Sequence, residues 1–380
     1  MSKVPKIHVW MPDIFQFKGG IQVYGAFFIQ ALEQILPNSD RHIFLKNDAK
    51  ATDDLQFNPR TQFSFAGKWK LSFLYTPIFA LQVFLAALLK RPDLIICGHI
   101  NFSPLVLRIF NLLKIPYWVV VHGIDAWDIK DASKISALRA AQRIISVSEY
   151  TSARITAEHK ISPESIFRIP NTFDASQFVI QPKPQYLLDR YQFKSDQPII
   201  LTVTRLASGD RYKGYDQIIQ SLPAIRRQIP NIHYLLVGKG DDRERIEAMV
   251  KTTDVGDCVT LAGFVSDNEL ADYYNLCDVF AMPSKGEGFG IVYLEALACG
   301  KPTIGGNQDG AIDALCHGEL GVLVNPDEVE ELGETIIQIL QGKYSLPILY
   351  QPEMLRQKVI QTYGFDRFKQ YLSQLLSTQF

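Results

Sequence analysis

The sequence predicts an α/β protein with two doubly wound domains that face a central cleft. Short apolar runs alternate with helical segments through both halves of the chain, and a proline-containing stretch near the middle interrupts that alternation. The 380 residues are also enough for two domains of ordinary size. In such domains, ligands bind at the carboxyl ends of the parallel strands, so we expect the functional residues there.

The first domain is expected over residues 1–178. Each apolar strand in it is followed by helical material, which is typical of a parallel sheet with crossover helices. The expected strands cover residues 7–11, 94–97, 117–121 and 144–147, and the expected helices cover residues 21–36, 104–113, 132–141 and 150–159.

The second domain is expected over residues 198–361, after a linker over residues 179–197 that contains two prolines close together. A final helix over residues 365–376, within a segment of residues 362–380, has its apolar residues on one face. In the second domain, the expected strands cover residues 199–204, 233–237, 259–261, 279–282 and 302–304, and the expected helices cover residues 215–228, 243–251, 268–275, 291–299 and 329–340.

Charge and cysteine usage argue against a nucleic-acid-binding, disulfide-bonded or zinc-binding protein. The net charge of −1 gives no sign of nucleic-acid binding. Residues 1–180 hold 20 Lys/Arg and 14 Asp/Glu, a net of +6, whereas residues 181–380 hold 19 and 26, a net of −7. The basic half suggests an anionic partner, with chance asymmetry as the alternative. Five scattered cysteines and an amino terminus without signal-peptide anatomy predict reduced thiols, no zinc site and a cytoplasmic protein.

One uncharged apolar segment, residues 71–89, lies between Lys70 and Lys90-Arg91. Its 19 residues are long enough to span a bilayer. Polar residues and a proline interrupt it, however, and a strand-like run follows at once, so we favour a buried or surface-lying helix. With the basic first half, it predicts a peripheral contact with the inner face of the plasma membrane.

Two carboxylates eight residues apart are the strongest functional signal. Glu287 lies among three glycines, and Glu295 lies on an apolar helix that is expected to begin near Gly290. Glycines let backbone amides approach a ligand closely, and the start of a helix offers free N–H groups and a positive dipole end. The pattern is typical of a site for a nucleotide-sugar.

Two cations follow the first strand of the second domain. Arg205 ends the strand, and Lys213 precedes Gly214 at the start of the next helix. Such a pair can offset the two charges of a diphosphate leaving group without a divalent metal, and the chain has no Asp-x-Asp run. Surface ion pairing is the alternative for both residues.

The first domain offers a histidine and a glycine pair. His122 follows a strand, and Asp125 lies close enough in sequence to assist it as a proton handler. Gly19 and Gly20 separate the first strand from the first helix, where amides could meet a phosphate. A structural histidine and an ordinary turn remain the alternatives.

Further glycines in the second domain suggest contacts with the donor. Gly238 begins a Gly-Lys-Gly stretch in which Arg243 replaces the third glycine of a dinucleotide fingerprint, so it predicts a turn near a nucleotide and not an NAD site. Gly263 and Phe264 end another strand, where backbone groups could meet a base edge.

The frame E-G-F-G-x-x-x-x-E-A at Glu287–Glu295 resembles the E-x7-E motif of the retaining glycosyltransferases of family 4, which have the GT-B fold. The resemblance covers nearly the whole chain in the expected order of motifs. It includes Gly19-Gly20, His122-Gly123, Arg205 and Lys213-Gly214. One departure is Thr172, where the family more often has glycine.

The resemblance implies a role for each matched residue. Glu287 would contact hydroxyls of the transferred sugar, Glu295 the ribose diol, and His122 the region of donor sugar and acceptor. Arg205 and Lys213 would hold the diphosphate, helped by amides near Phe289, Gly290 and Ile291. The last helix would cross back onto the first domain.

The expected function is therefore metal-independent, retaining transfer of a hexose from a nucleotide-diphosphate sugar to a hydroxyl of a glycan or lipid-linked glycan in polysaccharide synthesis. No cofactor is expected, and UDP-glucose is the first choice of donor, before UDP-N-acetylglucosamine and GDP-mannose. A nucleotide-sugar epimerase, a phosphorylase and a catalytically silent nucleotide-sugar-binding protein remain alternatives.

Overall fold

The computed structural model describes residues 4–16, 19–52, 55–69 and 72–380. The chain divides into two compact units. The first comprises Met1–Thr172 and Phe365–Phe380, and the second comprises Phe173–Gly364.

The first unit contains a seven-stranded parallel sheet in the order β3-β2-β1-β4-β5-β6-β7. Since the chain moves outward from β1 in one direction and then restarts at β4 on its other side, the topological switch point lies between β1 and β4. The strands are β1 Lys6–Met11, β2 Asp40–Leu45, β3 Thr61–Phe65, β4 Leu94–Cys97, β5 Tyr117–Val121, β6 Arg143–Ser146 and β7 Ile166–Arg168.

Within the described residues, helices connect most of these strands. They are α1 Gly20–Ile35, α2 Tyr75–Lys90, α3 Ser103–Leu113, α4 Ala132–Ala140 and α5 Glu149–His159. The central strands β4 and β5 are buried along their whole length, which explains why they consist of continuous apolar residues instead of an alternating pattern.

The second unit repeats this arrangement with a six-stranded parallel sheet in the order β10-β9-β8-β11-β12-β13. Its switch point lies between β8 and β11. The strands are β8 Ile199–Val203, β9 His233–Val237, β10 Val259–Gly263, β11 Val279–Met282, β12 Thr303–Gly306 and β13 Val322–Val324. The helices are α6 Gln185–Tyr191, α7 Tyr215–Gln228, α8 Arg243–Thr252, α9 Asp267–Leu276, α10 Ile291–Ala298, α11 Ala311–Ala314, α12 Val329–Leu340 and α13 Pro352–Tyr363.

Both sheets confirm the predicted fold class of doubly wound α/β domains. The expected strands are present, and their ends coincide with the prediction or differ from it by at most two residues. Strands β2, β3, β7 and β13 were not expected, because they are short or carry polar residues within the run. Residues 179–197, expected as a linker, lie within the second unit and include α6.

The last helix, α14 Phe365–Leu376, belongs to the first unit and packs on α1, as expected for a helix that crosses back to the amino-terminal domain. Phe368 is buried and meets the rings of Tyr24 and Phe28 with centroid separations of 5.4 and 6.4 Å. The apolar face predicted from the sequence is therefore the face that contacts α1.

The apolar segment forms α2 and a preceding short turn, Ser72–Leu74; Lys70 and Leu71 lie outside the described residues. Within the described chain, Ser72–Lys90 is a helical stretch whose length and apolar composition would suffice to cross a membrane. Phe79, Val83 and Ala87 of α2 pack in the core of the first unit, while most of the stretch is not buried.

Candidate functional site

The loop between β11 and α10 carries Glu287, as the sequence predicted. Gly290 ends this loop in a left-handed conformation with φ of +90°, and a Cβ at this position would lie 2.5 Å from the ring of Tyr293. Only glycine fits such a position without strain. Helix α10 therefore begins at Ile291, and the free amides of its first turn lie directly after the acidic loop.

Asp309, which no sequence pattern predicted as a site residue, holds this loop in place. Its Oδ2 accepts hydrogen bonds from the backbone N–H of Glu287 and from Ser284 Oγ, both at 2.6 Å. Its Oδ1 accepts from the N–H of Ala311 at 2.9 Å. The N–H of Gly310 donates to the Glu287 carbonyl at 2.8 Å, so both backbone polar groups of Glu287 are tied to the loop after β12.

Burial also acts on the charge of Asp309. It raises the pKa of this carboxyl to about 7, against the hydrogen bonds from Ser284, Glu287 and Ala311, which lower it. The signal that could have found Asp309 is its position after β12, because the end of that strand lies beside the end of β11 in the sheet. The sequence pattern predicted strand β12, but it did not predict that β12 lies beside β11.

Lys213 and Glu287 form an ion pair through Nζ and Oε2, and both side chains are largely buried. The two loops that carry them are also joined, because the N–H of Lys285 donates to the carbonyl of Tyr212 at 2.8 Å. Gly214, with φ of +84°, permits this approach: a Cβ there would lie 2.2 Å from the Pro283 carbonyl oxygen. The structure thus brings together one proposed phosphate ligand and the proposed sugar ligand.

Arg205 lies after β8, with an exposed side chain that pairs with Asp210 at 2.9 Å. Its neighbours Thr204 and Leu206 donate backbone hydrogen bonds to Val237 and Lys239, both at 3.0 Å. Each predicted cation of the diphosphate site is therefore paired with a carboxylate of the same unit, and a bound anion would compete with those carboxylates.

Gly238 and Gly263 meet at the ends of β9 and β10, where the Gly238 N–H donates to the Gly263 carbonyl at 2.8 Å. Gly238 has φ of +146°, and a Cβ there would lie 1.7 Å from the Thr204 carbonyl oxygen, so the contact with the Arg205 segment requires glycine. Phe264 is exposed, and Lys239 Nζ lies 4.8 Å from its ring centroid. Together with Arg205, these residues lie at the carboxyl ends of the neighbouring strands β8, β9 and β10.

Glu295 lies on the second turn of α10, where its Oε2 accepts a hydrogen bond from the Tyr274 hydroxyl at 2.7 Å. Burial raises the pKa of Glu295 to about 7, and the bond from Tyr274 opposes that shift. Tyr274 on α9 is a second site residue that no sequence pattern predicted. Phe289, expected near the donor, is buried with its ring edge-on to Tyr363 at 5.3 Å, so its side chain serves packing.

In the first unit, His122 follows β5 as predicted. Its Nε2 lies 2.9 Å from the Gly98 carbonyl oxygen, and because a carbonyl only accepts, Nε2 donates this bond. In the neutral imidazole, Nδ1 is then the acceptor of the ring. Asp125 accepts from the backbone N–H of His122 at 2.9 Å. The carboxylate thus fixes the strand end, while Gly98 fixes the ring. Burial raises the pKa of the Asp125 carboxyl.

Gly19 and Gly20 lie at the start of α1, where Gly19 is the extended residue before the helix and Gly20 its first residue. Tyr24, one turn further along α1, meets the His122 ring edge-on with centroids 5.3 Å apart. Helix α1 therefore begins at the glycine pair and contacts the ring of His122 through Tyr24.

Two parallel-sheet Rossmann-like units, with an acidic glycine loop at the start of a helix in the second, define a protein of the GT-B class. Solved structures agree on the fold. HepE of Anabaena in complex with UDP matches with a TM-score of 0.77 at 19% identity, covering 98% of this chain and 100% of that chain. Sucrose-phosphate synthase of Thermosynechococcus elongatus matches with a TM-score of 0.79 at 22% identity, covering 98% of both chains.

Comparisons of sequence define the family. The model "Glycosyltransferase Family 4" matches residues 19–177, and "Glycosyl transferases group 1" matches residues 187–358. A GDP-mannose-dependent alpha-(1-6)-phosphatidylinositol monomannoside mannosyltransferase of Mycobacterium tuberculosis is 31% identical over 201 residues, 51% of each protein. The chain spans about half the length of that curated relative. It belongs to the family 4 glycosyltransferases with the GT-B fold.

Proposed function

We propose that the protein transfers a hexose from a nucleotide-diphosphate sugar to a hydroxyl of a glycan or lipid-linked glycan, with retention of configuration and without a metal ion. The observation that carries this proposal is the Lys213–Glu287 pair on two joined loops at the start of α10. A cation and a carboxylate in contact there suit a ligand that carries both phosphate charge and sugar hydroxyls.

The proposed reaction breaks the bond between the sugar C1 and the diphosphate oxygen, and forms a bond between C1 and the acceptor oxygen on the same face. The acceptor's proton passes to the leaving diphosphate oxygen. Lys213 and Arg205 stabilise the charge that develops on that diphosphate. The amides at the start of α10 add to this stabilisation. Retention rests on the family resemblance, and independence from metal on this pair of cations.

Glu295 is proposed to bind the ribose. A carboxylate accepts hydrogen bonds from two vicinal hydroxyls, and Tyr274 holds the side chain in one orientation. Gly238, Gly263 and Phe264 would border the base, because they lie at the ends of the neighbouring strands β9 and β10. His122, with its acceptor Nδ1, is proposed to contact a hydroxyl of the transferred sugar or the acceptor.

Two nucleotide-sugars are the main candidates for the donor. UDP-glucose was the first expectation from the sequence. The mycobacterial relative is named as GDP-mannose-dependent, which raises GDP-mannose to an equal candidate for this chain. That relative also acts on a phosphatidylinositol mannoside by its name, which supports a lipid-linked acceptor here.

The partners and location remain part of the proposal: a nucleotide-sugar, a glycan or lipid-linked glycan, a peripheral membrane contact, no nucleic acid and no cofactor, in the cytoplasm. An epimerase would release altered sugar without an acceptor, and a phosphorylase would require inorganic phosphate. A silent binding protein would bind nucleotide without turnover. These alternatives differ in their products and requirements, so analysis of the released sugar, with and without inorganic phosphate, separates an epimerase and a phosphorylase from a transferase.

The test is acceptor-free nucleotide release from UDP-glucose, UDP-N-acetylglucosamine and GDP-mannose, with wild type and Glu287→Gln, with and without EDTA. We expect slow release from one donor, unaffected by EDTA and lost in the variant. Release that requires a divalent ion would overturn metal independence. Binding of nucleotide without release, followed by no transfer to lipid-linked glycans, would favour the silent binding protein.

A further inference from the structure

Helix α2 presents two apolar faces, and only one of them is covered. Phe79, Val83 and Ala87 recur every four residues and pack in the core of the first unit. Leu81, Leu85, Leu88 and Leu89 occupy the opposite side of the helix and are exposed. We call these four residues the leucine face. A helix on the surface of a soluble protein normally carries polar residues there, so this face lacks the polarity that water favours.

The exposure is concentrated in one part of the chain. Leu81 is 59% exposed, Leu89 78% and, in the turn before α2, Phe73 71%. Within the described residues, half of the exposed large apolar side chains lie between residues 69 and 112. Leu112 belongs to α3, which contacts α2. Exposed apolar side chains clustered in this way mark an interaction site, whereas single leucines scattered over a surface do not.

Charge indicates the kind of partner. Residues 68–114 contain six Lys/Arg and one Asp, a net of +5, which is most of the excess of +6 in residues 1–180. Lys68 precedes the turn that leads into α2, and Lys90 and Arg91 follow its last leucine. All three of these cations are exposed. Apolar side chains between basic ends match the interface of an anionic bilayer, with leucines among the acyl chains and cations at the headgroups.

A spanning orientation does not fit the same helix. Strands β3 and β4, before and after α2, belong to one sheet. Phe79, Val83 and Ala87 contribute to the core that covers this sheet. To cross a bilayer, α2 would have to leave that core and expose the sheet face, so the helix can only lie along the surface.

We propose that the leucine face and its flanking cations dock the first unit onto an anionic lipid bilayer, with α2 lying in the plane of the interface. This proposal rests on the proposed function in one respect: docking would give the protein access to a lipid-linked acceptor. The docking residues include none of the residues assigned to donor or acceptor chemistry.

The first test is flotation of the full chain, without donor or acceptor, on phosphatidylcholine vesicles with and without about 30% phosphatidylglycerol. We expect wild type to float with the anionic vesicles at low salt. A triple variant, Leu81→Ser, Leu85→Ser and Leu89→Ser, should lower the bound fraction about fivefold or more. The matched control is Met354→Ser with Phe380→Ser, two exposed apolar residues outside this helix, which should bind as wild type does.

A charge pair provides the second arm. Lys68→Gln with Arg91→Gln should weaken binding to anionic vesicles and reduce its sensitivity to salt, whereas Arg227→Gln with Lys251→Gln should not. All four of these residues are exposed, so the variants should fold, which thermal melting followed by circular dichroism verifies.

Several results would overturn the docking proposal. Wild type that stays with the soluble fraction in every mixture would do so, as would a leucine variant that floats normally. A wild-type dimer by light scattering that becomes a monomer in the leucine variant, without flotation of either, would assign the face to a second copy of the chain. Because flotation involves no turnover, a failed transferase assay leaves these outcomes unchanged.

Discussion

Glu287 in the second unit lies among charges, whereas His122 in the first unit lies among rings. Glu287 pairs with Lys213 and receives its loop geometry from Asp309. His122 is fixed by a carbonyl, and its ring meets Tyr24, which in turn meets Phe368 of α14. We therefore expect the Glu287 site to be sensitive to substitutions that change charge, and the His122 site to be sensitive to substitutions that change packing.

The largest expected effect tests the packing side of the comparison. Phe368→Ala removes a buried ring from between α14 and α1, so we expect a loss of about 3–5 kcal/mol in the free energy of unfolding. Urea denaturation measures it. Asp366→Ala on the same helix is the control, because Asp366 is exposed and its ion pair with Lys369 is worth little. Equal stability of both variants would contradict the role given to α14.

The charge side is tested by Lys213→Ala and, separately, Arg205→Ala. Each variant removes a cation that is proposed to stabilise the leaving diphosphate, so turnover should fall by about 10²–10³. Steady-state kinetics with the identified donor gives the value, and Arg227→Ala, an exposed arginine on α7, serves as control. Wild-type turnover in the two site variants would remove them from the mechanism.

Asp309→Ala should separate positioning from binding. The variant leaves Ser284 Oγ and the N–H groups of Glu287 and Ala311 without their acceptor, which frees the Glu287 loop to shift. We expect kcat to fall by about 10- to 100-fold, the scale of a misplaced group, with nucleotide Kd nearly unchanged because the ribose site is separate. Asp309→Asn should restore part of kcat, since its amide oxygen can accept the Glu287 bond.

A merely structural role for Asp309 would produce a different result. The apparent nucleotide Kd would then rise and the apparent kcat would fall, both in proportion to the loss of folded protein, and Asp309→Asn would restore neither parameter selectively.

The smallest expected effect concerns the pH dependence of nucleotide binding. Only ionised Glu295 accepts from both ribose hydroxyls, and its pKa is raised to about 7. Affinity for the free nucleotide should therefore increase about tenfold as pH rises from about 6 to about 8, since the ionised fraction increases by that factor. Calorimetry measures the change, and Glu295→Gln should bind weakly with no such slope. A slope that persists in the variant would assign the titration to another group.

Much of the second site could be predicted because its signals are local. The spacing of Glu287 and Glu295, the glycine at position 290 and the apolar run that follows define a loop and a helix within about a dozen residues, and the structure begins α10 at Ile291. The strand before Arg205 is equally local. Periodicity and glycine chemistry act over such short ranges.

Asp309 could not be found in this way. Its contact with Glu287 joins residues 22 apart in sequence, and the Lys213–Glu287 pair joins residues 74 apart. Both contacts depend on the order of strands in the sheet, in which β8, β11 and β12 are neighbours although β9 and β10 lie between the first two in the chain.

The two α/β domains, the positions of most strand ends and the acidic loop can be predicted from the chain alone, because apolar periodicity and turn residues encode them segment by segment. Which side chains meet depends on the folded chain: Asp309 contacts the Glu287 backbone, Tyr274 contacts Glu295, and Tyr24 contacts His122. The folded chain also covers one face of α2 and leaves the other exposed. The physical reason is that burial and pairing are properties of neighbours in space, which a linear pattern does not specify.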